Sequence, residues 1–304
     1  MGAGSVDVTR GGPGDLPCVK LTHPSGASAL VYIYAAHLAS WRTASGEEQL
    51  FVSSASAYGG GKAIRGGVPI CWPQFNERGP YKRHGIVRTS DAWEVVRTST
   101  DPFPCVVLGL ADSEATRAEF PSAFRLQYSV TLDGPESVST ALTVINPSDE
   151  PLQFTTALHT YFACSDVLAA RVRGLQGVGY IDSANGGAEA TQEEEETAVT
   201  GEIDRLYLGA PSETYIVDGD RAIKLLKMGF ADAVVWNIGE TKGAEMKVGL
   251  TATYFDLLRH LLTSTYFGET KGAEMKVAWP LTYCDLLRSS YTYYSLTAQF
   301  LHVL

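Results

Sequence analysis

Hydrophobic positions along this chain recur mostly at every second residue. Phe124–Val130 (FRLQYSV) alternates apolar with polar as a half-buried strand does. Ala27–Tyr34 ends in a run of β-branched and aromatic residues. Val138–Asn146, Gln153–Ala157, Gly177–Ile181, Thr214–Val217, Ala222–Lys227 and Ala231–Trp236 read as further strands. Turn formers punctuate them at Asp133-Gly134-Pro135, Asn146-Pro147-Ser148 and Asp218-Gly219-Asp220. No regular alternation of strand with helix is visible, so the pattern predicts an all-β chain arranged as an antiparallel sandwich. Tyr58–Lys62 (YGGGK) and Ser183–Glu202 read as loops, and the acidic run Glu193–Glu196 fits a solvated loop or hairpin tip better than a metal site.

Near the C-terminus the pattern changes. Leu250, Tyr254, Leu257, Leu258, Leu261 and Leu262 fall at helical spacing. The decapeptide GETKGAEMKV stands at Gly239–Val248 and again at Gly268–Val277. The match continues loosely, with Thr253–Arg259 resembling Thr282–Arg288. Two copies are too few for a solenoid, and an identical decapeptide fits a recent duplication or a misassembled coding sequence. Residues 1–248 are therefore expected to form one β-sandwich domain. Residues 249–304 form an atypical, helix-patterned segment packed on it.

Composition narrows the function. The chain has 304 residues, 45% of them hydrophobic, which suffices for a large core. Net charge is -10, which argues against general affinity for nucleic acid or anionic membrane. Five cysteines, none spaced as CxxC, support neither a disulfide framework nor a zinc site. Residues 1–16 lack a signal-peptide core, and no apolar run is long enough to span a bilayer, so a cytoplasmic protein is expected.

Within this acidic chain one stretch is basic. Ala63–Trp93 carries Arg65, Arg78, Lys82, Arg83 and Arg88, with Gly66-Gly67, Pro69, Pro73 and His84. Glycine and proline hold loops in fixed shapes, and arginine grips phosphate through a planar fork. Beside Trp72, Phe75 and Trp93, the cluster suits a sugar phosphate, with rings on the sugar and guanidiniums on the anion. By composition alone an ordinary charged surface is the better reading, because charge clusters are usually just surface. His159, in Ala157–Phe162 (ALHTYF), ends a strand-like run. It reads either as a core histidine or, facing His84 across one pocket, as a proton donor at neutral pH.

The segments Arg65–Phe75 (RGGVPICWPQF), His84–Arg88 (HGIVR), Leu158–Phe162 (LHTYF), Asp204–Tyr207 (DRLY) and Asp232–Asn237 (DAVVWN) occur in an order of their own. Together, over roughly residues 15–248, they resemble the glucose-6-phosphate 1-epimerase branch of the galactose mutarotase-like superfamily. That resemblance implies a β-supersandwich, a small-molecule hexose 6-phosphate as ligand, a monomer, and chemistry needing neither metal nor cofactor. It implies His159 as general acid on the ring oxygen and His84 as an auxiliary hydrogen-bonding group. Arg65 and Arg88 would bind the phosphate, and Asp204 would accept from a sugar hydroxyl. Arg83 stands where the family usually has glutamine, so a substrate contact there is altered in kind. The family's glutamate base should fall near Leu261, but DLLRHLL holds none; the nearest glutamate is Glu269. The alternative is a sugar-phosphate-binding homologue that lacks the base.

Overall fold

Alternation of side chains across each strand builds the core. In Arg125–Gly134, Leu126, Tyr128, Val130 and Leu132 are buried on one face. In the hairpin partner Ser137–Asn146, Val138, Leu142 and Val144 do the same. A period of two puts these residues on one side of the sheet and leaves the intervening ones toward solvent.

The computed structural model describes residues 4–239, with the backbone strands Tyr254–Leu262 and Thr292–Val303. Three antiparallel sheets result. The first is four-stranded, in chain order Ser5–Gly11, Leu16–Thr22, Ser28–Tyr32 and His37–Arg42. The nine-stranded sheet runs from Glu196–Ala198 to Glu94–Ser99, with Thr292–Val303 between Arg221–Lys227 and Ser137–Asn146. The eight-stranded sheet runs Ala188–Thr191, Gly179–Asp182, Ile203–Tyr207, Ala233–Asn237, Tyr254–Leu262, Thr156–His159 and Ile70–Cys71; Phe162–Ala163 also pairs with Tyr254–Leu262. A short helix, Glu114–Glu119, starts at a Ser113–Thr116 capping box. The architecture is the all-β sandwich that the sequence pattern predicts. No helix among the described residues is long and apolar enough to cross a membrane.

One core joins the three sheets. Val31 and Trp41 come from the first, Leu108 and Leu142 from the second, and Ile70, Leu158, Tyr207 and Val235 from the third. The eight-stranded sheet is apolar on its other face as well. There Cys71, Phe75, Ala157, Leu206 and Val234 form a separate cluster, with Ile181 and Trp236 packed against it. That second face positions the site.

Two expectations change. Residues 254–262, whose apolar spacing favours a helix, form a strand, because the place between Ala233–Asn237 and Thr156–His159 is filled by backbone hydrogen bonding on both sides. Within 183–202, a 3-10 turn and the short strands Ala188–Thr191 and Glu196–Ala198 flank the acidic run. Apart from Gly239, both copies of the repeated decapeptide, and Glu269 with them, lie outside the described residues.

Candidate active site

The sequence segments that point to a sugar site are stitched together by backbone pairing. Ile70 and Cys71 pair in register with Leu158 and Ala157. The ladder continues on either side: the Tyr161 N–H donates to Gly67 O at 2.8 Å, that of His159 to Pro69 O at 2.9 Å, and that of Thr155 to Pro73 O at 2.8 Å. Pro69 and Pro73 contribute only carbonyls, since proline has no N–H. Gly67, at φ +60°, lets this run lie against the first sheet; a Cβ there would stand 2.3 Å from Leu38 O and 2.6 Å from His37 Nε2.

The loop after Pro73 then folds back. Gly85 lies against Trp72, and the Ile86 N–H donates to Trp72 O at 3.0 Å. Gly85 has φ +70°, and a Cβ on it would sit 1.9 Å from Trp72 O. Gln74 braces the loop from beneath. Its amide donates to Asn76 O and Tyr81 O, and its Oε1 accepts from the Tyr81 N–H. His84 itself is held in the left-handed region at φ +62°, a conformation rare for non-glycine residues and common where a side chain is aimed for function.

These constraints bring the two histidines together. His84 and His159 are both buried, with ring centroids 5.7 Å apart. His159 stacks on Tyr161 at 4.6 Å and meets the edge of Trp236 at 6.2 Å. Phe75 packs on His84 at 5.5 Å. Nδ1 of His84 accepts from the Asn76 N–H at 3.2 Å and lies 3.6 Å from Cys71 Sγ. Asp204 is in register with Trp236, and residues directly opposite in a sheet share a face. The result is an apolar floor with two imidazoles, aromatic rings and a carboxylate on one side of one sheet, an arrangement that suits a pyranose ring and proton transfer to its oxygens.

The arginines divide. Arg83 is exposed and 4.0 Å from Glu77; Arg88 donates to the Arg83 carbonyl at 3.4 Å, so these two stand together beside His84. Arg65 is exposed on the far flank of Gly66-Gly67, its N–H donating to Ser56 Oγ at 2.6 Å. Trp72 and Trp93 do not stack on a sugar. Both are buried in the main core, Trp72 against Phe120 and Phe124, and Trp93 donating to Val87 O. Trp72 follows Cys71, so strand alternation turns it away from the face that Cys71 joins. Among the described residues no group of three or more His, Cys, Asp or Glu is placed to hold a metal ion.

Tyr161 and Trp236 were not singled out as site residues from the sequence. Tyr161 had a signal, since it stands two residues after His159 and a strand period of two puts it on the same side. Trp236 had none short of the register of its strand.

The aldose 1-epimerase family pattern matches residues 17–259. The chain belongs to the aldose 1-epimerase family. It is 32% identical over 256 residues, 81% of this chain and 78% of the other, to a protein of Cenchrus ciliaris named "Putative glucose-6-phosphate 1-epimerase". A Salmonella typhimurium protein of the same name is 30% identical over 239 residues, 76% of this chain and 78% of the other. A solved structure described as a putative mutarotase from Salmonella typhimurium superposes with a TM-score of 0.77 at 24% identity, covering 98% of this chain and 96% of that one. The fold of this epimerase-family chain is therefore that of the galactose mutarotase-like proteins.

Proposed function

We propose that the chain interconverts the α and β anomers of glucose 6-phosphate by acid–base ring opening. The observation that carries this reading is the meeting of His84 and His159, 75 residues apart in sequence, with centroids 5.7 Å apart over an apolar floor. Its support in the sequence relatives is the name they share. His159 protonates the ring oxygen while a carboxylate base, for which Glu269 is the candidate in the sequence, takes the C1 hydroxyl proton. The bond from C1 to the ring oxygen breaks, C1–C2 rotates, and closure on the other face of the aldehyde returns both protons and gives the other anomer. His84 donates to the sugar, and Asp204 accepts from a hydroxyl. Arg83 and Arg88, beside His84, take the phosphate with Arg65. A cluster of guanidiniums matches the charge and fork geometry of a phosphate better than those of a neutral sugar, which favours a phosphorylated substrate.

A second reading, binding without turnover, is favoured by one observation. The strand beside that of His159 reads YFDLLRHLL and carries no glutamate. Its carboxylate is Asp256, in register with Trp236. A coupled assay separates the two readings. Fresh α-glucose 6-phosphate is supplied to a β-specific dehydrogenase with and without the protein. Acceleration that disappears in His159→Ala, while the variant still binds the sugar phosphate, supports the epimerase. No acceleration by the wild type leaves only binding.

A further inference from the structure

The groups around Nδ1 of His84 fix more than its position. The Asn76 N–H donates to Nδ1 at 3.2 Å, and the His84 N–H donates back to Asn76 O at 3.1 Å. A nitrogen that accepts from an amide N–H carries no proton, so a neutral His84 has its proton on Nε2. Cys71 Sγ lies 3.6 Å from the same Nδ1. A thiol is both a weak donor and a weak acceptor; against an accepting nitrogen it must donate. Cys71 is fully buried, and Thr156 Oγ1 donates to its carbonyl at 2.8 Å. Its neighbour in register, Ala157, precedes His159 by two residues on the same strand. One residue thus ties the two histidines through its backbone on one side and its thiol on the other.

We propose that Cys71 is a positioning residue for His84, its thiol joining the Asn76 N–H at Nδ1 to hold the imidazole as the neutral Nε2–H tautomer. In that state His84 can donate to a bound oxygen but cannot carry the transferred proton, which leaves acid catalysis to His159. An imidazolium would place a second N–H against the Asn76 N–H, which cannot accept it, and would cost the hydrogen bond that the thiol donates to Nδ1. The inference rests on the sugar-phosphate site proposed above, but its primary readout needs no turnover.

The test is nitrogen-15 NMR of the histidine side chains in wild type, Cys71→Ser and Cys71→Ala, titrated between pH 5 and 8. The expected wild-type spectrum shows His84 as the Nε2–H tautomer throughout. Cys71→Ser, which keeps a donor, retains it. Cys71→Ala shifts toward proton uptake at higher pH. In the anomerisation assay Cys71→Ala raises KM by roughly two- to tenfold, the worth of one hydrogen bond, with kcat little changed. A wild-type His84 protonated on Nδ1 overturns the proposal. So does a Cys71→Ala variant whose His84 spectrum and pH response match those of Cys71→Ser. Where Cys71→Ala fails to fold, Cys71→Val supplies the thiol-free variant for the same comparison, and an inactive protein with the Nε2–H tautomer counts against the epimerase alone.

Discussion

The imidazole of His159 lies flat on the ring of Tyr161, with centroids 4.6 Å apart and planes within 8°. The two residues are separated by Thr160 alone, and the Tyr161 N–H is anchored to Gly67 O. The stack therefore transmits the position of the Gly66-Gly67 loop to the imidazole proposed as general acid. The Tyr161 hydroxyl also approaches His159 Nε2 at 3.5 Å, too long for a strong hydrogen bond.

Stacking, more than the hydroxyl, should therefore orient His159. Tyr161→Phe keeps the ring and is expected to lower kcat/KM no more than about threefold. Tyr161→Ala removes it and should lower kcat/KM by about 10²-fold through misplacement of the acid. The coupled anomerisation assay measures both. A Tyr161→Phe defect as deep as that of Tyr161→Ala would assign the role to the hydroxyl instead.

The arginines make a separable prediction. Each charge-assisted hydrogen bond to phosphate is worth about 1.5–3 kcal/mol. Arg65→Ala and Arg88→Ala should each weaken binding of glucose 6-phosphate by roughly 10- to 100-fold and leave glucose binding unchanged in calorimetry. Because Arg88 donates to the Arg83 carbonyl, Arg83→Ala should cost less than Arg88→Ala. An equal loss for both ligands removes that arginine from the phosphate role.

His37 gives the fold a pH dependence of its own. It lies beneath Gly67, fully buried, and Nε2 has no hydrogen-bond partner among the described residues. Burial pushes its pKa down to about 3, against a weaker opposing backbone contact from Gly66. The unfolded chain binds this proton below about pH 6.5, whereas the folded chain refuses it until about pH 3. Stability is thus unaffected by this group above pH 6.5 and falls as pH drops through that window, by about 1.4 kcal/mol per unit at most. Urea unfolding followed from pH 7 to pH 4 should show the decline, and His37→Gln should flatten it. An unchanged slope in His37→Gln would place the acid sensitivity elsewhere.

Gly85→Ala should be the most damaging single methyl in the site. The added Cβ meets the Trp72 carbonyl at 1.9 Å in a left-handed backbone, so the loop must leave the core strand. A loss of about 2–4 kcal/mol in denaturant unfolding is expected, with His84 displaced and anomerisation lost. Gly60→Ala, where a Cβ meets nothing within 4 Å, serves as the control for backbone strain alone.

Much of the site was legible before folding because its residues come in short, dense segments. Arg65–Phe75, His84–Arg88 and Leu158–Phe162 each contain a site residue, and the family resemblance names a role for most of them. Trp72 and Trp93 show the limit. Both stand among the arginines in sequence, yet their neighbours in space are Phe120, Phe124 and Val87. Residues 254–262 show another: leucines at helical spacing form a strand when two neighbouring strands offer hydrogen-bond partners on both sides.

By itself the sequence determined that this chain is a β-sandwich, because a period of two in apolar residues can bury only one face of a strand. It also determined the chemistry available, since imidazoles, guanidiniums and carboxylates are fixed by residue type. Only the tertiary structure decided which of these groups meet. The antiparallel register of Ile70–Cys71 with Ala157–Leu158, and the turn that Gly85 permits, bring His84 within ring contact of His159. Local pattern sets which face a residue takes, but distance between segments is set by long-range hydrogen bonding, to which no short window of sequence is sensitive.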